Sequence, residues 1–222
     1  MGIEVIARDW DRPDWRGEFY PEDLPEDWRL SYFANAFESV LVPATSWHEA
    51  PLERLAQWAK DVPDRFRFYL ELDACDEPEG WGNVQGHSTI GVEPAAQPLA
   101  QQSRMPNRTD TPTPDLAGAA AALGNRFAGS VARLFLPASP AGPRPGSGAT
   151  PIRALVARDA QGHALVAREI PLAIMADPRA ALTWLTALAA KAGSRPALAI
   201  LDSASPKALT RWGQLVLLAG FA

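Results

Sequence analysis

Ser39-Val40-Leu41-Val42-Pro43, then Pro51-Leu52-Glu53-Arg54-Leu55-Ala56-Gln57-Trp58-Ala59-Lys60, then Phe66-Arg67-Phe68-Tyr69-Leu70-Glu71-Leu72: these segments decide the fold class. The first is short, apolar and β-branched, and Pro43 stops it, so it reads as a buried strand. The second places Leu52, Leu55, Ala56 and Ala59 on one face, with proline in the first turn, so it reads as a helix. The third is a strand again. Strand, helix, strand in this order points to a parallel pairing with a covering helix.

The same alternation extends outward. Ile3 to Arg8 predicts a strand and Asp27 to Ala36 a helix, with a polar, aromatic-studded loop from Asp9 to Pro25 between them. Thr113-Pro114-Asp115 opens a helix that Gly124 stops. Val131 to Leu136 predicts a strand. Ile152 to Ala157 and Ala164 to Ile170 flank Asp-Ala-Gln-Gly-His and read as a hairpin. Asp177-Pro178 opens a helix that stops at Gly193, Ala197 to Leu201 is a strand, and Ser205-Pro206 caps a last helix ending near Gly220. Long loops are expected at about 73–113 and 137–151, where Pro, Gln, Asn, Gly and acidic residues leave too little apolar surface to offset ordering entropy. The expectation is one α/β domain over residues 1–222: a mainly parallel sheet with covering helices. About six strands are legible, so a barrel of TIM type would be shortened or degenerate.

Composition excludes several classes. The chain has 222 residues, 47% of them hydrophobic, and a formal net charge of −5. No basic patch stands out, which argues against a nucleic-acid partner. Cys75 is the single cysteine, so no internal disulfide can form. The N-terminus lacks the basic-then-apolar pattern of a signal peptide, and the apolar run around Leu215 to Phe221 is far too short to span a bilayer. A cytoplasmic protein without a membrane partner is the expectation. No cofactor or metal is expected: Asp73, Cys75, Asp76, Glu77 and Glu79 lack the spacing of a zinc or calcium loop. Gly80 to Gly86 follows neither the Walker nor the dinucleotide pattern. His87 and His163 read as exposed turn residues.

Trp15-Arg16-Gly17-Glu18-Phe19-Tyr20-Pro21 resembles the Trp-x-Gly-x-Phe-Tyr-Pro signature of the YecE-like family, whose function is unknown. The resemblance is clearest over residues 10–72, where Tyr32, Phe33 and Phe37, then Trp58, Pro63 and Phe66-Arg67-Phe68 follow in register. Leu123-Gly124, Leu134 to Pro137 and Ala199 to Ser203 fit later family segments less fully. The resemblance implies a barrel related to TIM barrels. It also exposes four departures. Leu41 and Pro43 stand where the family's second strand carries Glu and Asn, Glu71 where its third strand ends in Lys, and Phe135 where a Gln precedes Leu-Pro. These changes imply a member that has lost the family's polar centre.

In barrels and open parallel sheets, ligands sit at the carboxyl ends of strands. That rule selects Arg8 and Asp9 after the first strand and Thr45, Trp47 and His48 after the second. It selects Glu71 and Asp73 after the third, and Asp202 and Ser203 after the last. Trp15 and Tyr20 join this candidate pocket from the first loop, although with Trp10 and Phe19 they read better as a packed plug than as a ligand platform. Asp202 to Ser205 equally suits a helix cap. The function expected is a binding or interaction module without catalysis. The alternatives are a hydrolase or isomerase of small polar metabolites using His48, Glu71, Asp73 and Asp202, and a homo-oligomeric module that covers open sheet edges.

Overall fold

The structure, a computed structural model, describes residues 2–72, 115–135, 153–202 and 205–221. Asp73, Ser203, Cys75 and the loops expected at about 73–113 and 137–151 lie outside them, as do Thr113 and Pro114.

Among the described residues, seven strands form a closed barrel: β1 (Ile3–Arg8), β2 (Ser39–Val42), β3 (Arg67–Leu72), β4 (Phe127–Phe135), β5 (Arg153–Asp159), β6 (Ala164–Glu169) and β7 (Ala197–Leu201). Each of the seven corresponds to a segment read as a strand, the hairpin supplying two, so the tally of about six is one short. Pairing follows chain order, and β7 returns to β1 with Ile3 opposite Ala197. The β1·β2, β2·β3, β3·β4, β6·β7 and β7·β1 ladders are parallel, whereas β5 runs antiparallel to β4 and β6. The hairpin read around Gly162 is the β5–β6 turn, where Asp159 accepts from the backbone of Gln161 and His163. Closure leaves no open edge among the described strands, so the sheet edges expected to invite a second copy are absent there.

Among the described residues, six α-helices accompany the strands: α1 (Glu26–Ala36), α2 (Ala44–His48), α3 (Leu52–Asp61), α4 (Leu116–Leu123), α5 (Pro178–Ala192) and α6 (Pro206–Leu218). Their ends follow the sequence signals. Asp115 accepts from Gly118, Asp177 from Arg179 and Ala180, and Ser205 from Ala208, each supplying an acceptor to an otherwise unpaired first-turn N–H. Gly193 ends α5 at φ 62°, a conformation that costs glycine little. The short helix α2 was not expected. Pro43 turns the chain out of β2, and the N–H groups of Ser46 and Trp47 return to its carbonyl.

β4 begins four residues earlier than the β-branched pattern suggests. Ala128-Gly129-Ser130 offers little strand propensity, but Gly129 meets the β5 backbone closely. A Cβ there would stand 2.1 Å from the Arg158 carbonyl oxygen, at a φ of 152°. Glycine alone fits that approach.

Strand alternation divides the apolar side chains into two cores. Ile6, Leu41, Tyr69, Val131, Ala157, Ala167, Leu198 and Ile200 point into the barrel. Small residues on β5 and β6 fill the narrow lumen that seven strands enclose. Val40, Val42, Phe68, Leu70 and Ala199 point outward, against Leu30, Phe33, Leu55, Trp58, Leu185 and Trp212.

Tyr69 reaches down the lumen and donates to Glu4 Oε2 at 2.9 Å. Burial, with Glu4 adding repulsion, pushes the Tyr69 phenol far above its usual range; burial, with Asp11 and Asp9, does the same to Tyr20. The unfolded chain releases these protons near pH 10, while the folded chain keeps them. The stabilisation is complete below about pH 10 and declines as pH rises beyond it. The denaturation midpoint should therefore fall above about pH 10, and Tyr20 and Tyr69 should show tyrosinate absorbance only as the chain unfolds. Tyrosinate signal from either residue in a still-folded chain would contradict the packing.

Candidate functional site

At the carboxyl end of the barrel, the next inward position on several strands is charged. Two residues beyond Ile6, Tyr69, Val131, Ala167 and Ile200 stand Arg8, Glu71, Arg133, Glu169 and Asp202. The apolar lumen thus ends in a layer of two guanidinium groups and three carboxylates.

Glu71 is the centre of this layer, its side chain 4% exposed. Arg8 donates to it through Nη2 at 2.7 Å and Nε at 3.0 Å, both to Oε2. The backbone N–H of Ala44 approaches the same oxygen at 3.4 Å. Arg133 Nε pairs with the other oxygen, Oε1, and Arg133 Nη1 pairs with Glu169 at 2.7 Å. Asp202 lies at the outer side, its Oδ1 3.5 Å from Arg8 Nη1 and 3.7 Å from Arg133 Nη2. Burial alone would pull the Arg8 guanidinium down, but its hydrogen bonds and attraction to Glu71, with help from Asp202 and Asp9, hold it above its ordinary value. Arg8 therefore stays charged.

Two neighbouring segments brace the layer. Trp47, carried by α2, donates its indole N–H to the Glu71 carbonyl at 2.7 Å. Arg12, from the loop after β1, donates to the Asp202 carbonyl at 2.6 Å while its guanidinium lies 5.5 Å over the Trp15 ring and bonds Asp14.

The expected pocket residues divide into groups. Arg8, Glu71 and Asp202 come together in the barrel mouth, with Trp47 behind them. Asp202 does not cap α6; Ser205 does. His48 lies beside Trp47, ring centroids 4.1 Å apart. Asp9 turns away at a φ of 71°, a conformation that Asp tolerates better than most residues, and accepts from the Asp11 N–H. It lines a separate cleft of about 290 Å³ with Trp10, Leu30, Ser46 and Trp58. Trp15 and Tyr20 are buried outside the barrel. Trp15 stacks on Phe33 at 6.0 Å and 13°, and Tyr20 donates to the Trp10 carbonyl at 2.5 Å. They pack the first loop against α1 and do not plug the mouth.

Arg133 and Glu169 were missed by the sequence reading. The substituted positions do not leave the mouth apolar. Leu41 does line the lumen as an apolar residue, but Glu71 supplies a charge at the mouth and Arg133 answers it. Pro43 is buried where β2 gives way to α2.

Residues 7–74 match the family described as Protein of unknown function DUF72. This is the YecE-like family, and the matched segment runs from the end of β1 to just past β3. It supplies Arg8, Trp15, Tyr20, Trp47 and Glu71, while Arg133, Glu169 and Asp202 lie beyond it. No curated protein and no solved structure matches the chain. Among the described residues, no group of three or more His, Cys, Asp or Glu is placed to hold a metal ion, and no helix is long and apolar enough to cross a membrane.

Proposed function

We propose that this chain is a divergent, shortened TIM-type barrel of the YecE-like kind whose strand-end mouth binds a small polar ligand without transforming it. The observation that carries this reading is Glu71. It is the most buried carboxylate of the mouth, and both its oxygens are engaged by the guanidinium groups of Arg8 and Arg133. A general base needs a free lone pair within reach of the proton it takes. Glu71 spends its lone pairs on fixing two arginines instead. Fixed guanidinium forks at the carboxyl end of an apolar barrel suit recognition of a polar group, since their geometry is set before the ligand arrives.

A melting-temperature screen of the full chain against sugars, phosphorylated metabolites, small acids and amines tests the reading. A ligand at a hundredfold excess over its Kd stabilises by ~2.7 kcal/mol, which for a chain of this size raises Tm by roughly 5–10 °C. At least one small polar compound should do so in the native chain and not in an Arg133→Ala variant judged against its own baseline. Mass spectrometry should recover that compound unchanged after long incubation. Conversion of the compound, or a shift that survives the loss of Arg133, would overturn the proposal.

A further inference from the structure

Asp202 is the loosest member of the charged layer. Its separations of 3.5 Å and 3.7 Å from the two arginines exceed the ~2.7–2.9 Å of a charge-assisted hydrogen bond. Its side chain is 37% exposed, against 16% for Arg133 and 4% for Glu71. Arg133 is correspondingly under-used. Its Nη2 is buried, yet it has no partner in hydrogen-bond geometry. Buried donors of this kind ordinarily find an acceptor. Nη2 faces Asp202 Oδ1, the same oxygen that Arg8 Nη1 faces, so two forks converge on one poorly held carboxylate oxygen.

Resting on the binding reading above, we infer that the Asp202 carboxylate stands in for the oxyanion of a ligand, and that a small carboxylate or phosphate displaces it to take both guanidinium forks. The charge count is consistent with this class. With Asp202 swung away, Arg8 and Arg133 face Glu71 and Glu169, two charges against two. An incoming oxyanion restores the charge that Asp202 supplied. An ammonium group would meet two guanidinium groups whose carboxylates are already engaged. The planar fork of arginine matches carboxylate and phosphate oxygens in pairs, which a single oxygen at 3.5 Å does not exploit. The half-exposed Asp202 carboxylate can leave toward solvent, whereas Glu71 cannot. Because it is tethered, Asp202 competes with any free anion at a high effective concentration.

Removing the competitor should therefore improve anion binding. The test is calorimetric titration of the full chain, native and as Asp202→Ala and Asp202→Asn, with inorganic phosphate, with acetate and with ethylammonium. Phosphate or acetate should bind the Ala variant about tenfold more tightly than the native chain, equivalent to ~1.4 kcal/mol. The Asn variant should gain in the same direction, and it preserves side-chain shape if the Ala variant folds poorly. Which anion gains more separates a phosphate ligand from a carboxylate one. Anion affinity that is unchanged or weaker in a folded variant overturns the inference, as does a gain confined to ethylammonium. If a sugar or amine from the melting screen still binds through Arg133 while neither anion gains, the inference falls and the binding reading stands. If no compound binds at all, both fall.

Discussion

Replacing Glu71 by alanine should destabilise the chain by about 3–5 kcal/mol, the range for removing one partner of a buried ion pair. The loss arises less from the bonds removed than from what remains. Arg8 and Arg133 would face each other across the space Glu71 leaves, with Glu169 beside Arg133 alone and Asp202 too distant and too exposed to neutralise Arg8 fully. The Ala44 N–H would also lose the oxygen it approaches. Glu71→Gln keeps the shape and the acceptor oxygen but not the charge, so it should cost less than alanine. Denaturant unfolding of both variants reads the two losses. A Glu71→Ala cost within the ±0.5 kcal/mol of an ordinary surface substitution would mean that the carboxylate is not clamped as described.

Trp15→Ala should cost a similar amount, about 3–5 kcal/mol, as expected for emptying a fully buried aromatic site. Trp15 is 1% exposed and packs between Phe33, Phe19 and Tyr20, all of which would border the cavity. Its effect should also reach the mouth, because Arg12 lies over the Trp15 ring and holds the Asp202 carbonyl. Trp15→Phe retains a ring at the same place and should recover much of the stability. A Trp15→Ala variant that melts like the native chain would remove the loop-packing role assigned to the aromatic signature.

These two residues illustrate how far the sequence could be read. The strand-end rule found Arg8, Glu71 and Asp202 because β1, β3 and β7 have clear apolar runs with clear ends. Arg133 escaped it for a physical reason. The start of β4 is written in small residues, and only the close approach of Gly129 to the Arg158 carbonyl makes that stretch a strand. With the start unrecognised, Arg133 looked like the middle of a short strand. In the barrel, Val131 lies opposite Glu71, which brings Arg133 to the level of the mouth. Glu169 escaped because β6 reads locally as the second arm of a hairpin. Its other neighbour, β7, runs parallel to it, so the carboxyl end of β6 joins the same rim as the other parallel strands. Neither pairing is encoded within the segment itself.

The Trp15 to Pro21 stretch taught a different lesson. Its position after the first strand suggested the pocket, while its density of large apolar rings suggested packing. Burial decided for packing, since rings that fill a core have no free face to offer a ligand. The helix caps at Asp177 and Ser205 were legible for the opposite reason: a cap is a local contract between neighbours in the chain, and tertiary pairing does not alter it.

A ligand held at the barrel mouth would sit on the guanidinium groups of Arg8 and Arg133. Nitrogen-edited NMR of the guanidinium Nε–H groups of Arg8 and Arg133, followed while a hit from the melting screen is titrated in, tests it most directly. Both resonances should move with the same saturation curve as the binding isotherm. Movement of the Trp10 indole N–H beside the Asp9 cleft, with both arginine signals unmoved, would place the ligand elsewhere and contradict the account.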